Sequence, residues 1–65
     1  MIKINGEQRE GFEGMTVGEM LAELGYKTAY IAIEMNGEIL KRENYPSTEL
    51  RDGDWLEVVN FVGGG

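Results

Sequence analysis

The residues of this 65-residue sequence that are best suited to chemistry are its last five, Phe61-Val62-Gly63-Gly64-Gly65, which directly follow an apolar run. Glycine loses more backbone freedom on folding than any other residue, so three consecutive glycines favour a mobile arm. An arm without Cβ atoms can enter a narrow channel, and three residues reach about 10 Å beyond the last strand. We therefore expect this tail to be used by another protein.

Composition excludes most forms of self-sufficient catalysis. The chain has no cysteine and no histidine, which excludes disulfides, thiol nucleophiles, and thiolate or imidazole metal sites. A domain of this size buries only about 60% of the surface that its unfolded chain exposes, which leaves no room for a deep active site. Any chemistry is therefore expected on the outside of the domain.

The charge balance indicates the kind of partner. Twelve Asp and Glu against six Lys and Arg give a net charge of −6, the wrong sign for nucleic acid or an anionic membrane. A partner with a basic face is expected instead. No apolar run approaches the roughly 20 residues of a membrane span, so we expect a cytoplasmic protein. Asp52 and Asp54 are too few ligands for a calcium loop and predict a turn.

A short helix is the clearest local prediction. Thr16 and Glu19 have the spacing of a capping box, in which each side chain accepts a hydrogen bond from the backbone N–H of the other residue. The apolar positions that follow recur at helical spacing, and a glycine stands where a left-handed C-cap would end the helix. The predicted helix covers residues 17–24, with its apolar stripe on Val17, Met20, Leu21 and Leu24 and its C-cap at Gly25.

Two Asn-Gly pairs predict tight turns. A two-residue type I′ turn needs positive φ at both central positions, which Asn5-Gly6 and Asn36-Gly37 can supply. Each pair follows an alternating segment, so two hairpins are expected, the first with a weak return strand. The predicted strands are residues 2–5, 7–13, 29–35, 38–40 and 55–62, with an irregular crossover over 41–50 and a turn at 52–54.

The order of these elements predicts an α+β roll, in which one helix packs across a mixed sheet of four to five strands. The folded domain is expected to cover residues 1–62 and the flexible glycine tail residues 63–65.

The last predicted strand indicates where a partner could bind. Glu57 would not be buried without a partner, so the face that it shares with Trp55, Val59 and Phe61 is predicted to be the outer face. An apolar cluster that leads into a mobile tail suggests an interaction patch. The alternative is that the crossover folds over these side chains and makes them a second small core. The predicted partner-binding residues are Trp55, Val59, Phe61 and Val62.

Five features stand in a characteristic order: an early NG hairpin, TVGEML in the helix, IEMNG, RDGDWLEVV and a terminal FVGGG. In this order and at this length, the chain resembles the ThiS-type sulfur carriers of thiamine biosynthesis, which have the β-grasp (ubiquitin-like) fold. The likeness covers the whole chain.

This resemblance implies that the reactive group is the terminal carboxylate of Gly65, with Gly64 completing the diglycine of the family and Gly63 belonging to the longer tail of this branch. A ThiF-type adenylyltransferase would use ATP and Mg²⁺ to convert Gly65 to an acyl-adenylate. A relay fed by a cysteine desulfurase would then leave a thiocarboxylate, whose sulfur passes to a ThiG-type thiazole synthase. The chain itself would be a carrier, not an enzyme, and would bind no cofactor or metal.

The chemistry of a carboxylate agrees with this role. A terminal carboxyl has a pKa near 3.5 and is a poor electrophile until its oxygen becomes a good leaving group. Adenylation supplies that group, but its negative charge needs metal and cationic groups that an acidic chain without histidine does not supply. The catalyst is therefore expected to be the partner.

Other functions also fit the pattern. A related carrier, either the small subunit of molybdopterin synthase or a tRNA-thiolation modifier, would share the fold and the tail but serve another acceptor. A binding-only β-grasp module would have an inert tail. Glycine-rich ends also occur as remnants of linkers.

Overall fold

A computed structural model describes residues 1–61, which form an α+β roll as predicted. One α-helix packs on one face of a five-stranded mixed sheet with strand order β2-β1-β5-β3-β4. Two 3-10 helices, Thr28–Tyr30 and Arg42–Ser47, lie in the connections. The main elements are β1 (Ile2–Ile4), β2 (Glu7–Arg9), α1 (Val17–Leu24), β3 (Ile31–Met35), β4 (Glu38–Leu40) and β5 (Trp55–Asn60).

The last strand in sequence is the central strand of the sheet. On one side β5 runs parallel to β1, with Lys3 opposite Trp55. On the other side it runs antiparallel to β3, in a register that places Ile33 opposite Val58. The strand that leads into the tail is therefore held by backbone pairing along both of its edges.

The helix has the predicted bounds and caps. The Thr16 hydroxyl accepts from the Glu19 N–H at 3.1 Å, and the Glu19 carboxylate accepts from the Thr16 N–H at 2.9 Å. Gly25 ends the helix in the left-handed region, at φ 83°. Three of the four predicted stripe residues are fully buried, and Leu24 packs against the core from its edge. Among residues 1–61, α1 is the only α-helix, and it is too short to cross a membrane.

The core lies between α1 and one face of the sheet. Alternate residues of β1, β3 and β5 point into it, together with Val17, Met20 and Leu21 of the helix. Two aromatic residues from irregular segments complete it: Phe12 from the loop after β2, and Tyr45 from the 3-10 helix Arg42–Ser47. That 3-10 helix packs against α1, so the crossover covers the helix side of the sheet.

The predicted extents of β2 and β3 and the predicted form of the crossover were wrong. β2 ends at Arg9 rather than at residue 13, because Gly11 and Gly14, both near φ 90°, turn the chain and carry Phe12 out of the sheet into the core. β3 begins at Ile31 rather than at residue 29, because the preceding residues form a 3-10 helix. Part of the crossover predicted to be irregular is helical, over Arg42–Ser47.

The end of the domain was only partly predicted. β5 ends at Asn60, and Phe61 follows it outside the strand. The predicted continuation of the strand to Val62, the domain boundary after that residue and the tail of residues 63–65 all lie outside the described residues.

Candidate functional site

A backbone hydrogen bond holds the last described residue of the chain. The predicted reactive residue, Gly65, and the predicted tail and contact residues Gly63, Gly64 and Val62 lie outside the described residues. The last described residue, Phe61, donates its backbone N–H to the Tyr30 carbonyl at 2.7 Å. The end of the described chain is therefore tied to the residue that precedes β3.

Two turn asparagines hold the central strand through their side chains. The Asn5 Oδ1 accepts from the Val58 N–H at 2.7 Å, and its Nδ2 donates to the Val58 carbonyl at 3.3 Å. The Asn36 Oδ1 accepts from the Trp55 N–H at 3.0 Å, and its Nδ2 donates to an Asp54 carboxylate oxygen at 3.0 Å. Both asparagines have positive φ, at 52° and 54°. The same residues thus form the hairpin turns and anchor β5.

The three described residues of the predicted patch all lie on the outer face, as predicted. Trp55 is 42% exposed, Val59 57% and Phe61 47%. The crossover does not cover them, since it packs on the opposite side of the sheet, so the alternative of a second small core is wrong. Whether these residues contact a partner remains a prediction.

Trp55 is separated from the other two patch residues. It stands at the opposite end of β5 from Phe61, six residues and about 20 Å away at the rise of a β-strand. Its ring lies beside Gly37, in the turn between β3 and β4. Glu57 interrupts the apolar surface between Trp55 and Val59. The predicted patch is therefore two exposed areas, and only the one at Val59 and Phe61 adjoins the tail.

One residue of that area, Ile39, was not predicted from the sequence. It is 78% exposed and stands opposite Glu34 on the outer face. Ile39 and Phe61 line one groove of about 330 Å³, at the place where β4 ends and the edge of β3 is uncovered. The two-residue turn at Asn36-Gly37 could have revealed this, because it fixes the register that puts Ile39 opposite Glu34. We call the apolar surface of Ala32, Ile39, Val59 and Phe61 the outer patch.

Both signs of charge border the outer patch: Lys41 and Arg42 line its groove, and two glutamates lie on the adjoining row of the sheet. Glu34 stands directly opposite Glu57 on the outer face, in the row of the sheet next to the pair Ala32 and Val59. Neither carboxylate takes part in any of the three ion pairs found among residues 1–61.

A second charge cluster lies at the other end of the sheet. The Met1 amino group contacts Asp52 and lies 2.8 Å from a Glu13 carboxylate oxygen. The hydrogen bond to Asp52, and to a smaller extent the hydrogen bond to Glu13, raises the pKa of the amino group from 8.0 to about 10. The hydrogen bond from the Met1 amino group lowers the pKa of the Glu13 carboxyl. This cluster ties the start of β1 to the loops that follow β2 and precede β5, at the opposite end of β5 from Phe61.

The described residues offer a surface suited to binding. Within residues 1–61, no group of three or more acidic side chains is placed to hold a metal ion. What the described part offers is a fixed strand end, with exposed apolar surface and two carboxylates beside it. Apolar surface of this kind is typical of protein interaction sites.

Known proteins resemble this chain over its whole length. A thiazole synthase of Paramagnetospirillum magneticum is 45% identical over 62 residues, which are 95% of this chain but only 19% of that longer protein. The sulfur carrier protein ThiS of Thermus thermophilus is 40% identical over 65 residues, and the match covers all of both chains. The chain thus spans about a fifth of one relative and the whole of the other.

The fold and the family also match. The crystal structure of the thiamine biosynthesis protein ThiS from Geobacter metallireducens superposes with a TM-score of 0.77 at 37% identity, covering 98% of this chain and 97% of that one. This match confirms the predicted β-grasp fold. The sequence profile of the ThiS family matches residues 2–65. The chain belongs to the ThiS family.

Proposed function

We propose that this chain is a cytoplasmic sulfur carrier of thiamine biosynthesis. In this role the terminal carboxylate of Gly65 is adenylated by a ThiF-type adenylyltransferase with ATP and Mg²⁺. It is then converted to a thiocarboxylate with sulfur from a cysteine desulfurase, and the sulfur is donated to a ThiG-type thiazole synthase. The carrier is a cosubstrate of these enzymes, and ATP and Mg²⁺ belong to the adenylyltransferase.

The observation that carries the proposal is the match to a sulfur carrier over the full length of both chains, glycine tail included. The family match extends through residue 65, so it includes the residue that the proposal makes reactive. A GG ending alone would be weak support, because such endings occur by chance. In a chain of the ThiS family, the terminal glycine is also the residue on which the proposed mechanism forms the thiocarboxylate.

The chemistry needs a carboxylate that is accessible but inert until a partner activates it. The carboxylate oxygen attacks the α-phosphate of ATP and releases pyrophosphate, which turns a poor electrophile into an acyl-adenylate. A persulfide sulfur then attacks the carbonyl carbon and AMP leaves. A thiol of the relay next attacks the relay's own sulfur in the resulting S–S bond, which releases the thiocarboxylate on Gly65 and leaves a disulfide in the relay. Every catalytic group in these steps belongs to a partner enzyme.

The domain contributes position. β5 is paired along both edges, and Phe61 is bonded to Tyr30, so the start of the tail has a defined place relative to the outer patch. A partner that binds the outer patch would therefore receive the tail in one direction. Three glycines without Cβ atoms can pass through a narrow channel to the partner's active site. Binding and reaction are in this way assigned to adjacent parts of one chain.

Thiazole synthase is the proposed sulfur acceptor. One relative supports this proposal. A protein named thiazole synthase contains a segment that is 45% identical to this chain, so a segment of this type occurs within a protein that carries the name of the proposed acceptor. The related carriers of molybdopterin synthesis and tRNA thiolation would use the same tail chemistry with another acceptor, so acceptor identity must be tested directly.

The experiment is a sulfur-transfer assay. The thiocarboxylated chain is purified and mixed either with thiazole synthase and its small-molecule substrates or with the large subunit of molybdopterin synthase. Intact-mass spectrometry then follows the return of thiocarboxylate to carboxylate. We expect this return only with thiazole synthase. Return only with the other acceptor would reassign the carrier to molybdopterin synthesis, and return with neither would contradict sulfur donation to thiazole synthase.

A further inference from the structure

Two glutamates face each other across the centre of the outer sheet face. Glu34 on β3 and Glu57 on β5 are direct partners in the antiparallel register, and both are exposed. Side chains in such a pair have their Cβ atoms about 4.5 to 5.5 Å apart, and like charges at this position destabilise a sheet. The free domain therefore carries an unfavourable contact on the strand that leads to the tail.

Nothing in the described part of the chain neutralises this pair. Arg9 pairs with Glu7 on β2. Arg42 donates to the backbone carbonyls of Thr28 and Ile31. Lys3 shares the outer face, opposite Trp55, but forms no ion pair with either glutamate. Lys41 lines the groove beside the outer patch but forms no ion pair with either glutamate. Both carboxylates are thus available to a cation from outside the described chain.

The surroundings of the pair are apolar. Ile39 lies next to Glu34 on the β4 side, and Ala32 and Val59 form the next row toward the tail. A protein that covers the outer patch would remove water from the two carboxylates. An ion pair formed there would be stronger than one in open solvent, and each carboxylate left without a partner would be costly.

We propose that Glu34 and Glu57 together receive one basic side chain of the adenylyltransferase, best an arginine, while the outer patch packs against apolar surface around it. The planar guanidinium has five donors in a fixed fork and can bond two carboxylates at once. This inference rests on the proposed function, since it names how the activating partner recognises the carrier. A second copy of this chain is the poorer occupant, because it would bring another pair of glutamates and another net charge of −6.

The proposal predicts opposite effects on folding and on binding. The double substitution Glu34→Gln and Glu57→Gln removes a like-charge contact, so the free domain should unfold at a higher urea concentration. The same change removes both acceptors of the partner's cation, so the dissociation constant for the adenylyltransferase should rise roughly tenfold or more. If the two glutamates served only solubility, replacing them would not lower the affinity for the adenylyltransferase more than replacing two other exposed glutamates does.

The test compares this variant with Glu10→Gln plus Glu49→Gln. Both control residues are exposed and lie away from the outer face, and each double variant removes two negative charges. Calorimetry measures the affinity of the full chain for the adenylyltransferase at two salt concentrations. A loss confined to the Glu34 and Glu57 variant, with a weaker salt dependence than wild type, supports the proposal. Equal losses in the two variants, or no loss in either, would overturn it, and so would a stable wild-type dimer in sedimentation that buries this face.

A parallel assay separates this inference from the proposed function. Thiocarboxylate formation on each chain is measured with the adenylyltransferase at saturating concentration. If the wild-type chain gains sulfur and both variants bind as tightly as wild type, the carrier function stands and the role of Glu34 and Glu57 is wrong. If the wild-type chain neither gains sulfur nor binds the enzyme, both are wrong.

The sign of the charge can be tested at one position. Glu57→Lys should weaken binding to the adenylyltransferase more than Glu57→Gln does, because lysine places a charge there that repels the partner's basic side chain.

Discussion

The side-chain amide of Asn5 pairs with both backbone groups of Val58, accepting from its N–H at 2.7 Å and donating to its carbonyl at 3.3 Å. β1 ends at Ile4, one residue earlier, so the amide continues the pairing of β1 with β5 beyond the end of the strand. Asn5 also has φ 52°, a conformation that asparagine tolerates better than most residues. One residue therefore closes the first hairpin and holds the strand that leads to the tail.

Replacing Asn5 with Gly should destabilise the domain without changing the turn. Glycine keeps the positive φ but leaves the partly buried Val58 N–H and carbonyl without the side-chain partner, which costs about 1–3 kcal/mol. Asn5→Asp keeps the acceptor for the N–H and should fall between Gly and wild type. Urea denaturation measures the free energy of unfolding. An Asn5→Gly protein as stable as wild type would show that the amide bonds contribute nothing.

Two glycines of the helix region should respond in opposite directions to alanine. A Cβ at Gly18 would meet its nearest neighbour, the Tyr45 carbonyl oxygen, at 3.5 Å, an ordinary contact distance. Gly18→Ala should therefore stabilise the protein by about 0.5–1 kcal/mol, since alanine is the better helix former. Gly25→Ala should destabilise it by about 1 kcal/mol, because Gly25 has φ 83°. Thermal denaturation measures the stability of both variants. If alanine changes stability equally at the two positions, the helical backbone at Gly18 or the left-handed backbone at Gly25 is wrong.

The Met1 amino group should make stability depend on pH in the alkaline range. Its pKa is raised from 8.0 to about 10 by Asp52 and Glu13. A raised pKa in the folded state means that the stabilisation is complete below pH 8 and is lost as the pH rises toward 10. We expect the free energy of unfolding to fall over this interval. In a protein with Glu13→Gln and Asp52→Asn, the fall should be smaller, and an identical fall would assign it to other groups.

Acidic substitutions in the outer patch should weaken binding more than folding. Val59 and Phe61 are about half exposed, so Val59→Asp or Phe61→Asp removes apolar contact with a partner at little cost to the core. Ala22→Glu, on the exposed face of α1, adds the same charge on the opposite side of the sheet as a control. Affinity for the adenylyltransferase and the urea midpoint are measured for each. If the acidic variants unfold instead, the two residues serve the core, and the assignment to the outer patch is wrong. Trp55→Asp in the same series tests whether the partner's footprint reaches the far end of β5.

Local signals in the sequence predicted the local structure well. The spacing of Thr16, Glu19 and Gly25 determined both ends of the helix, because capping depends only on residues within a turn of each other. Alternation in β5 correctly placed Val59 and Phe61 on the outer face. The resemblance of the whole chain to the ThiS family added the β-grasp fold, but the central position of β5 in the sheet was not predicted.

Features that depend on distant contacts were not predictable in this way. Glu34 meets Glu57 only through the register of β3 against β5, and no local pattern sets that register. The asparagines were read correctly as turn residues, but their bonds to Val58 and Trp55 need the central strand in place. Phe12 enters the core because two glycines redirect the chain, whereas by alternation alone it looked like a strand residue.

The most direct test of the carrier function is the intact mass of the chain after incubation with an active adenylyltransferase, ATP, Mg²⁺, a cysteine desulfurase and cysteine. We predict a gain equal to the replacement of one oxygen by sulfur in the wild-type chain. No gain is expected in a chain with Gly64→Val or one residue added after Gly65, although both should unfold at nearly the wild-type temperature. A wild-type chain that keeps its mass, while the same enzymes thiocarboxylate the Thermus thermophilus carrier, would contradict the proposed function.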